Sequence, residues 1–178
     1  MACDISAGRI EPCKTSNGGL KAVYIINYGS FTPADVVYDA IDTDSILEIA
    51  TMVAPNAYKY DLKGTSTFEQ TITSSRENGT TVFGQTLTLN LKKLSAKDNK
   101  QIKLLAYGRP QVIVEDNNGN FFMAGLIHGM EVSGTISTGA ALGDMSGYSL
   151  TFAGEEPVAA NNFATSLDAA GITVVVGV

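Results

Sequence analysis

Strict alternation of apolar and polar residues constrains this chain more than any other feature. The clearest run is Thr86, Leu87, Thr88, Leu89, Asn90, Leu91. Side chains of an extended strand point to two faces in turn, so this run makes one apolar and one polar face. Six or seven stretches of this type, punctuated by Asn78-Gly79 and Asn118-Gly119, predict a mainly β protein.

At 178 residues the chain fits one domain with extensions and can bury a core without staples. Charged residues make up 17%, below the usual ~25%. The net charge of −6 argues against a general nucleic-acid binder, which needs clustered cations for phosphates. The one basic cluster is Lys92, Lys93, Lys97, Lys100 and Lys103, read as a solvated helix face. The N-terminus has no basic segment followed by an apolar one, so no secretory signal is expected. The apolar run Ile172 to Val178 is too short to span a bilayer, and no membrane partner is expected. Cys3 and Cys13 match no zinc spacing; they read as free thiols in a reducing compartment or as a disulfide in an extracellular particle.

Along the chain, residues 1–19 read as an irregular N-terminal arm, 20–157 as the β domain and 158–178 as a C-terminal tail. The first strand is expected over Leu20 to Tyr28, with burial on both faces. Thr32-Pro33-Ala34-Asp35 fits a short helix start, while Val36 to Ile41 and Ile46 to Val53 fit strands around a turn at 42–45; the strands are preferred. Tyr58 to Leu62 is a further strand. Ser66 to Ser74 and Thr81 to Leu91 form a hairpin across a two-residue Asn78-Gly79 turn. Ser95 caps a helix over about 95–107, with Asp98 answering the cap, Ile102 and Leu105 on its apolar face, and Gly108 and Pro110 stopping it. Gln111 to Glu115, Phe121 to Ile127, Met130 to Ile136 and Tyr148 to Phe152 complete the strands. Residues 138–147 form a Gly/Ala-rich loop.

No residue pattern points to catalysis. His128 is the only histidine and reads as structural, which leaves metal sites and His-activated nucleophiles without their usual partner. Glu155 and Glu156 are adjacent on a strand and so face opposite ways. Asp42-Thr43-Asp44-Ser45 begins like a calcium loop but lacks its glycine and closing glutamate. The chain is therefore expected to be no enzyme and to need no cofactor or metal.

The order of elements carries a resemblance. A hairpin, a helix, the hairpin Pro110-Gln-Val-Ile-Val-Glu-Asp-Asn-Asn-Gly-Asn-Phe-Phe-Met-Ala-Gly-Leu126, an alternating strand, a loop and Tyr148-Ser-Leu-Thr-Phe-Ala-Gly-Glu-Glu-Pro157 follow one another. Over about residues 66–157 this resembles the core of tailed-bacteriophage tail tube and related neck-ring proteins. The opening Ala-Cys-Asp-Ile-Ser-Ala-Gly-Arg with Pro12-Cys13-Lys14 is similar to starts of structural proteins from phages of Bacteroides-type hosts. The resemblance implies a sandwich or barrel with one flanking helix and long arms. It implies a virion protein of the tail or neck, assembled in the host cytoplasm into a homo-oligomeric ring, six-fold or higher. Other tail or neck proteins would be its partners, and double-stranded DNA would pass without specific binding. The segment 29–63 departs from the pattern and reads as an insertion.

Two surfaces follow from this resemblance. The polar face of the central hairpin, Glu69, Thr71, Thr73, Thr86, Thr88 and Asn90, is the candidate channel lining. Thr173, Val174, Val175, Val176 and Val178, with Gly139, Ala140 and Ala141, are the candidate contacts between subunits. A bare apolar edge at 173–178 must either complete its own sheet or pair with a neighbour, and pairing with a neighbour is the expectation. The alternative function is a monomeric carbohydrate- or peptide-binding β sandwich.

Overall fold

The computed structural model describes residues 7–11 and 13–177; Cys3 and Val178 lie outside them. The alternating residues form twelve strands in two sheets. The strands are β1 (Leu20–Ile26), β2 (Val36–Tyr38), β3 (Ser45–Ile49), β4 (Asn56–Asp61), β5 (Thr67–Ser75) and β6 (Thr80–Lys92). They continue with β7 (Gln111–Asp116), β8 (Phe121–Ala124), β9 (Glu131–Ser137), β10 (Gly147–Glu156), β11 (Asn161–Phe163) and β12 (Thr173–Val176). The larger sheet has the order β12-β4-β1-β7-β8-β11-β3-β2, and the smaller β5-β6-β10-β9. The protein is mainly β and sandwich-like rather than a closed barrel.

The larger sheet is buried on both faces, as the near-continuous apolarity of β1 predicts. Val23, Ile25, Val112 and Val114 face Leu87, Leu89, Tyr148, Leu150 and Phe152 of the smaller sheet. Ala22, Tyr24, Ile26, Ile113 and Met123 face the other way, under Phe31, Leu167, Ala170 and Ile172. The expected tail is thus part of the core. Residues 158–178 supply β11, which lies between β8 and β3, and β12, which runs parallel to β4. Thr173–Val176 therefore completes its own sheet instead of crossing to a neighbour. The physical reason is that Ile172 and Val174 have apolar surface to cover within the chain.

The preferred two-strand reading of 29–49 and its helical rival are both realised. Thr32 opens a 3-10 turn at Pro33–Asp35, its hydroxyl and backbone N–H both donating to Asp35, and the β2–β3 hairpin follows. The N-terminal arm is tied at its end. Asn118 accepts from the Asn17 N–H, and Asn117 donates to the Gly18 carbonyl.

The α-helix α1 (Ala96–Tyr107) begins where Ser95 accepts a hydrogen bond from the Asp98 N–H at 3.1 Å, while its hydroxyl donates to the Asp98 carboxylate. Ile102 is buried in the core between the two sheets, Leu105 packs at its margin, and Leu104 is exposed. Among the described residues no helix is long and apolar enough to cross a membrane.

One buried polar group has a measurable signature. The Glu115 carboxylate sits inside the fold, bonded to Lys21 on one oxygen and accepting from the Tyr24 hydroxyl at 2.6 Å on the other. Burial, and then the bond to Glu115, push the Tyr24 phenol well above its ordinary value. The unfolded chain loses that proton near pH ~10, before the folded one does. Stability from this group is full below that value and is lost as pH rises towards the folded value. Tyr24→Phe is expected to flatten the fall in urea midpoint over about pH 9–11. An unchanged slope would show that other groups drive alkaline unfolding.

Candidate functional site

Antiparallel pairing assembles the polar residues of four strands into one outer face. Register sets Glu69 against Thr86 and Thr67 against Thr88. It sets Thr88 against Thr151, Asn90 against Ser149, and Thr151 against Ser133. Glu69, Thr71, Thr73, Thr86, Thr88 and Asn90 thus share the face opposite the core, as their alternation predicts. The sequence reading did not name the other half. β10 adds Ser149, Thr151, Ala153 and Glu155, and β9 adds Glu131, Ser133, Thr135 and Ser137. The same alternation would have found them. Three carboxylates and a field of hydroxyls make up this face; the one cation of matching parity is Lys92, at the strand end.

Side chains on this face are held close to the sheet. Thr71 donates to the Gly84 carbonyl and Ser133 to the Thr151 carbonyl. The hairpin closes through a four-residue turn, 76–79, rather than the expected two, with Gly79 at φ 63°. Ser75 accepts from the Asn78 N–H there.

The smaller sheet has two open edges. Among the described residues β5 pairs only with β6, and β9 only with β10. These edges are nine and seven residues long. Neither contains proline or lysine, the usual guards of a free edge. By contrast the larger sheet ends in short strands, β12 and β2, of four and three residues. Of the candidate contacts in 173–176, Val174 packs on the core, while Val175 and Val176 are exposed. Gly139, Ala140 and Ala141 stand in an exposed loop. The Asp144 carboxylate accepts from the Ala140 and Ala141 N–H groups, and Leu142 is fully exposed.

A second polar cluster, legible in no single segment, holds the crossover between the sheets. Residues 125–130 lead from β8 in one sheet to β9 in the other, and their backbone groups would otherwise be buried without partners. Gln85 accepts from the Gly125 N–H, Glu156 from those of Ile127 and His128, and Gln111 donates to the Leu126 carbonyl. Tyr28 donates to the Ile127 carbonyl. Gln85, Gln111 and Glu156 are all buried. Glu155 and Glu156 do point to opposite faces, one exposed and one serving this crossover. His128 contributes its backbone; its side chain is exposed.

Two surface depressions stand open to solvent. One, bounded by Tyr60, Lys63, Lys92, Lys93, Asp98 and Tyr148, lies beside α1; the other lies between β5 and the arm at Asn17–Leu20. Among the described residues no cluster of three or more His, Cys, Asp or Glu side chains could hold a metal ion. Comparison of the chain with protein-family models, with curated proteins and with solved structures found no match in any of the three.

Proposed function

We propose that this chain is a virion structural protein that assembles into a ring of a phage tail or neck, with the smaller sheet lining a channel for DNA. The observation that carries the reading is the outer face of that sheet, acidic and hydroxylated and flanked by two long open edges. Duplex DNA binds through its phosphates, so cations along a channel would trap it, whereas Glu69, Glu131 and Glu155 repel it. Open edges of this length are a hazard in a monomer and a means of assembly in a ring. Joining β5 of one copy to β9 of the next continues the sheet from subunit to subunit. Six copies would close about 24 strands into a barrel about 50 Å across between backbones, given strand spacing near 4.8 Å and a tilt near 40°. That width admits a duplex.

Electron micrographs of the purified protein test this directly. Rings or short tubes are expected, with β5, β6, β10 and β9 on the inner wall. A protein that stays monomeric at micromolar concentration, as a carbohydrate- or peptide-binding sandwich would, overturns the reading. Rings with this sheet on the outside overturn the channel.

A further inference from the structure

The charges of this molecule are segregated along the larger sheet. Between Lys21 and Lys59 the chain has five acidic residues, Asp35, Asp39, Asp42, Asp44 and Glu48, and no Lys or Arg. They lie on the β2–β3 hairpin and its approach, at one end of the sheet. The basic helix α1 begins near the other end, where Asp98 borders one depression with Tyr60 and Asp61 of β4. From β4 to β2 is six strand spacings, about 29 Å. That separation exceeds the ~8 Å screening length at physiological salt, so the two patches cannot neutralise each other within one chain. The two ion pairs among the described residues, Lys21–Glu115 and Lys59–Asp61, involve neither patch.

Each patch also carries exposed apolar side chains. On the hairpin, Ile41 is 97% exposed at the tip, beside exposed Val37 and Tyr38. On α1, Lys100, Lys103, Leu104 and Tyr107 stand at i, i+3, i+4 and i+7 and so share one face, with Leu104 and Tyr107 exposed. An apolar centre inside a charged rim is the anatomy of a protein interface, and here the rims have opposite sign.

The two sheets place these patches at the two open edges. Phe68 on β5 lies 6.5 Å from Phe122 on β8, and Gln70 accepts from the Ala160 N–H just before β11. Edge β5 is therefore on the acidic side. Helix α1 lies beside β9. Edge β9 is therefore on the basic side.

We propose that the acidic β2–β3 hairpin of one copy docks on the Lys100–Tyr107 face of α1 in the next copy, forming the outer layer of the same seam in which β5 meets β9. The contact is head-to-tail, so each copy uses both patches and the chain of contacts closes into a ring when the rotation between copies permits. The occupant of each patch is a second copy of this chain, because its own surface carries the complement. This inference rests on the ring reading. It adds a partner for the 29–63 insertion and an electrostatic term to assembly.

Two charge-reversed proteins test it, one carrying Asp42→Lys, Asp44→Lys and Glu48→Lys, the other Lys97→Glu, Lys100→Glu and Lys103→Glu. All six sites are exposed. The parent is expected to associate at least ~10-fold more weakly in about 500 mM salt than in about 50 mM, read by sedimentation. Each reversed protein alone is expected to lose association by ~10-fold or more, since both its patches then carry one sign. Mixed in equal amounts they should co-assemble, because the basic hairpin of one now meets the acidic helix of the other. Recovery on mixing also shows that both variants are folded. Rings from either reversed protein alone overturn this contact and leave the ring reading intact. Failure of the mixture to assemble overturns it as well. A parent that stays monomeric at low salt overturns both.

Discussion

Deletion of residues 171–178 is expected to unfold the protein, not merely to weaken its assembly. Ile172 is almost wholly buried, its N–H donates to the Leu167 carbonyl, and Val174 packs on the same cluster. Thr173–Val176 also covers one side of β4 along four register pairs. Loss of a buried isoleucine side chain alone costs about 2–5 kcal/mol. Opening the edge of β4 and uncovering Ala57 adds to that, against a total stability of about 5–15 kcal/mol for a typical domain. Urea unfolding of the truncated protein should show a lost or strongly shifted transition, and Ile172→Ala a shift of about 2–5 kcal/mol. A truncated monomer with the parental midpoint would show that β12 is dispensable. Exchange of that strand between subunits would then be open again.

The second large effect is expected at the crossover between the sheets. Gly129 has φ 74°, and a Cβ there would lie 2.5 Å from the Arg109 carbonyl oxygen and 3.1 Å from Arg109 Cβ. The left-handed conformation costs a non-glycine residue ~1–2 kcal/mol, and the overlap with backbone adds ~1–3 kcal/mol or more. Gly129→Val should therefore destabilise by about 2–5 kcal/mol. Gly119 provides the contrast, with φ 85° but open space around it. Gly119→Ala should cost only about 1–2 kcal/mol. Thermal or urea unfolding of the pair measures the difference. Equal effects would mean that the crossover yields where the structure shows it packed.

These two sites mark the boundary of what local sequence encodes. The β5–β6 hairpin, the Ser95–Asp98 cap and the 117–120 turn are readable because their partners lie within a few residues. Asp116, for instance, accepts from the N–H groups of Asn118 and Asn120 and so fixes its own turn. The polar face of the hairpin is readable for the same reason: alternation alone assigns Glu69 and Thr86 to it. Residues 158–178 are different. Phe163, Leu167 and Ala170 stand at i, i+4 and i+7, yet the chain there runs through a short strand and turns, so a core-filling segment looks like a tail. The supports of the crossover escape for a related reason. Gln85, Gln111 and Glu156 are unremarkable polar residues until register brings them to one loop. The two-sided charge of the larger sheet is equally hidden. The acidic run and the lysine cluster are visible in sequence, but their separation depends on strand order and on where α1 packs.

Strand order also bears on how fast this protein folds. The centre of the larger sheet joins β1 to β7, with Tyr24 opposite Ile113 and Ile26 opposite Gln111. The chain between them builds the whole β5–β6 hairpin and α1, elements that form from local contacts. These local pieces can appear early, but the sheet that anchors them must wait for a long loop to close. The entropy of that closure precedes any reward from burial, which places refolding among the slow, millisecond-to-second β proteins. During that interval the edge of β5 already exists while the core beneath it is incomplete. Protein concentration during refolding then decides between native subunits and premature edge pairing.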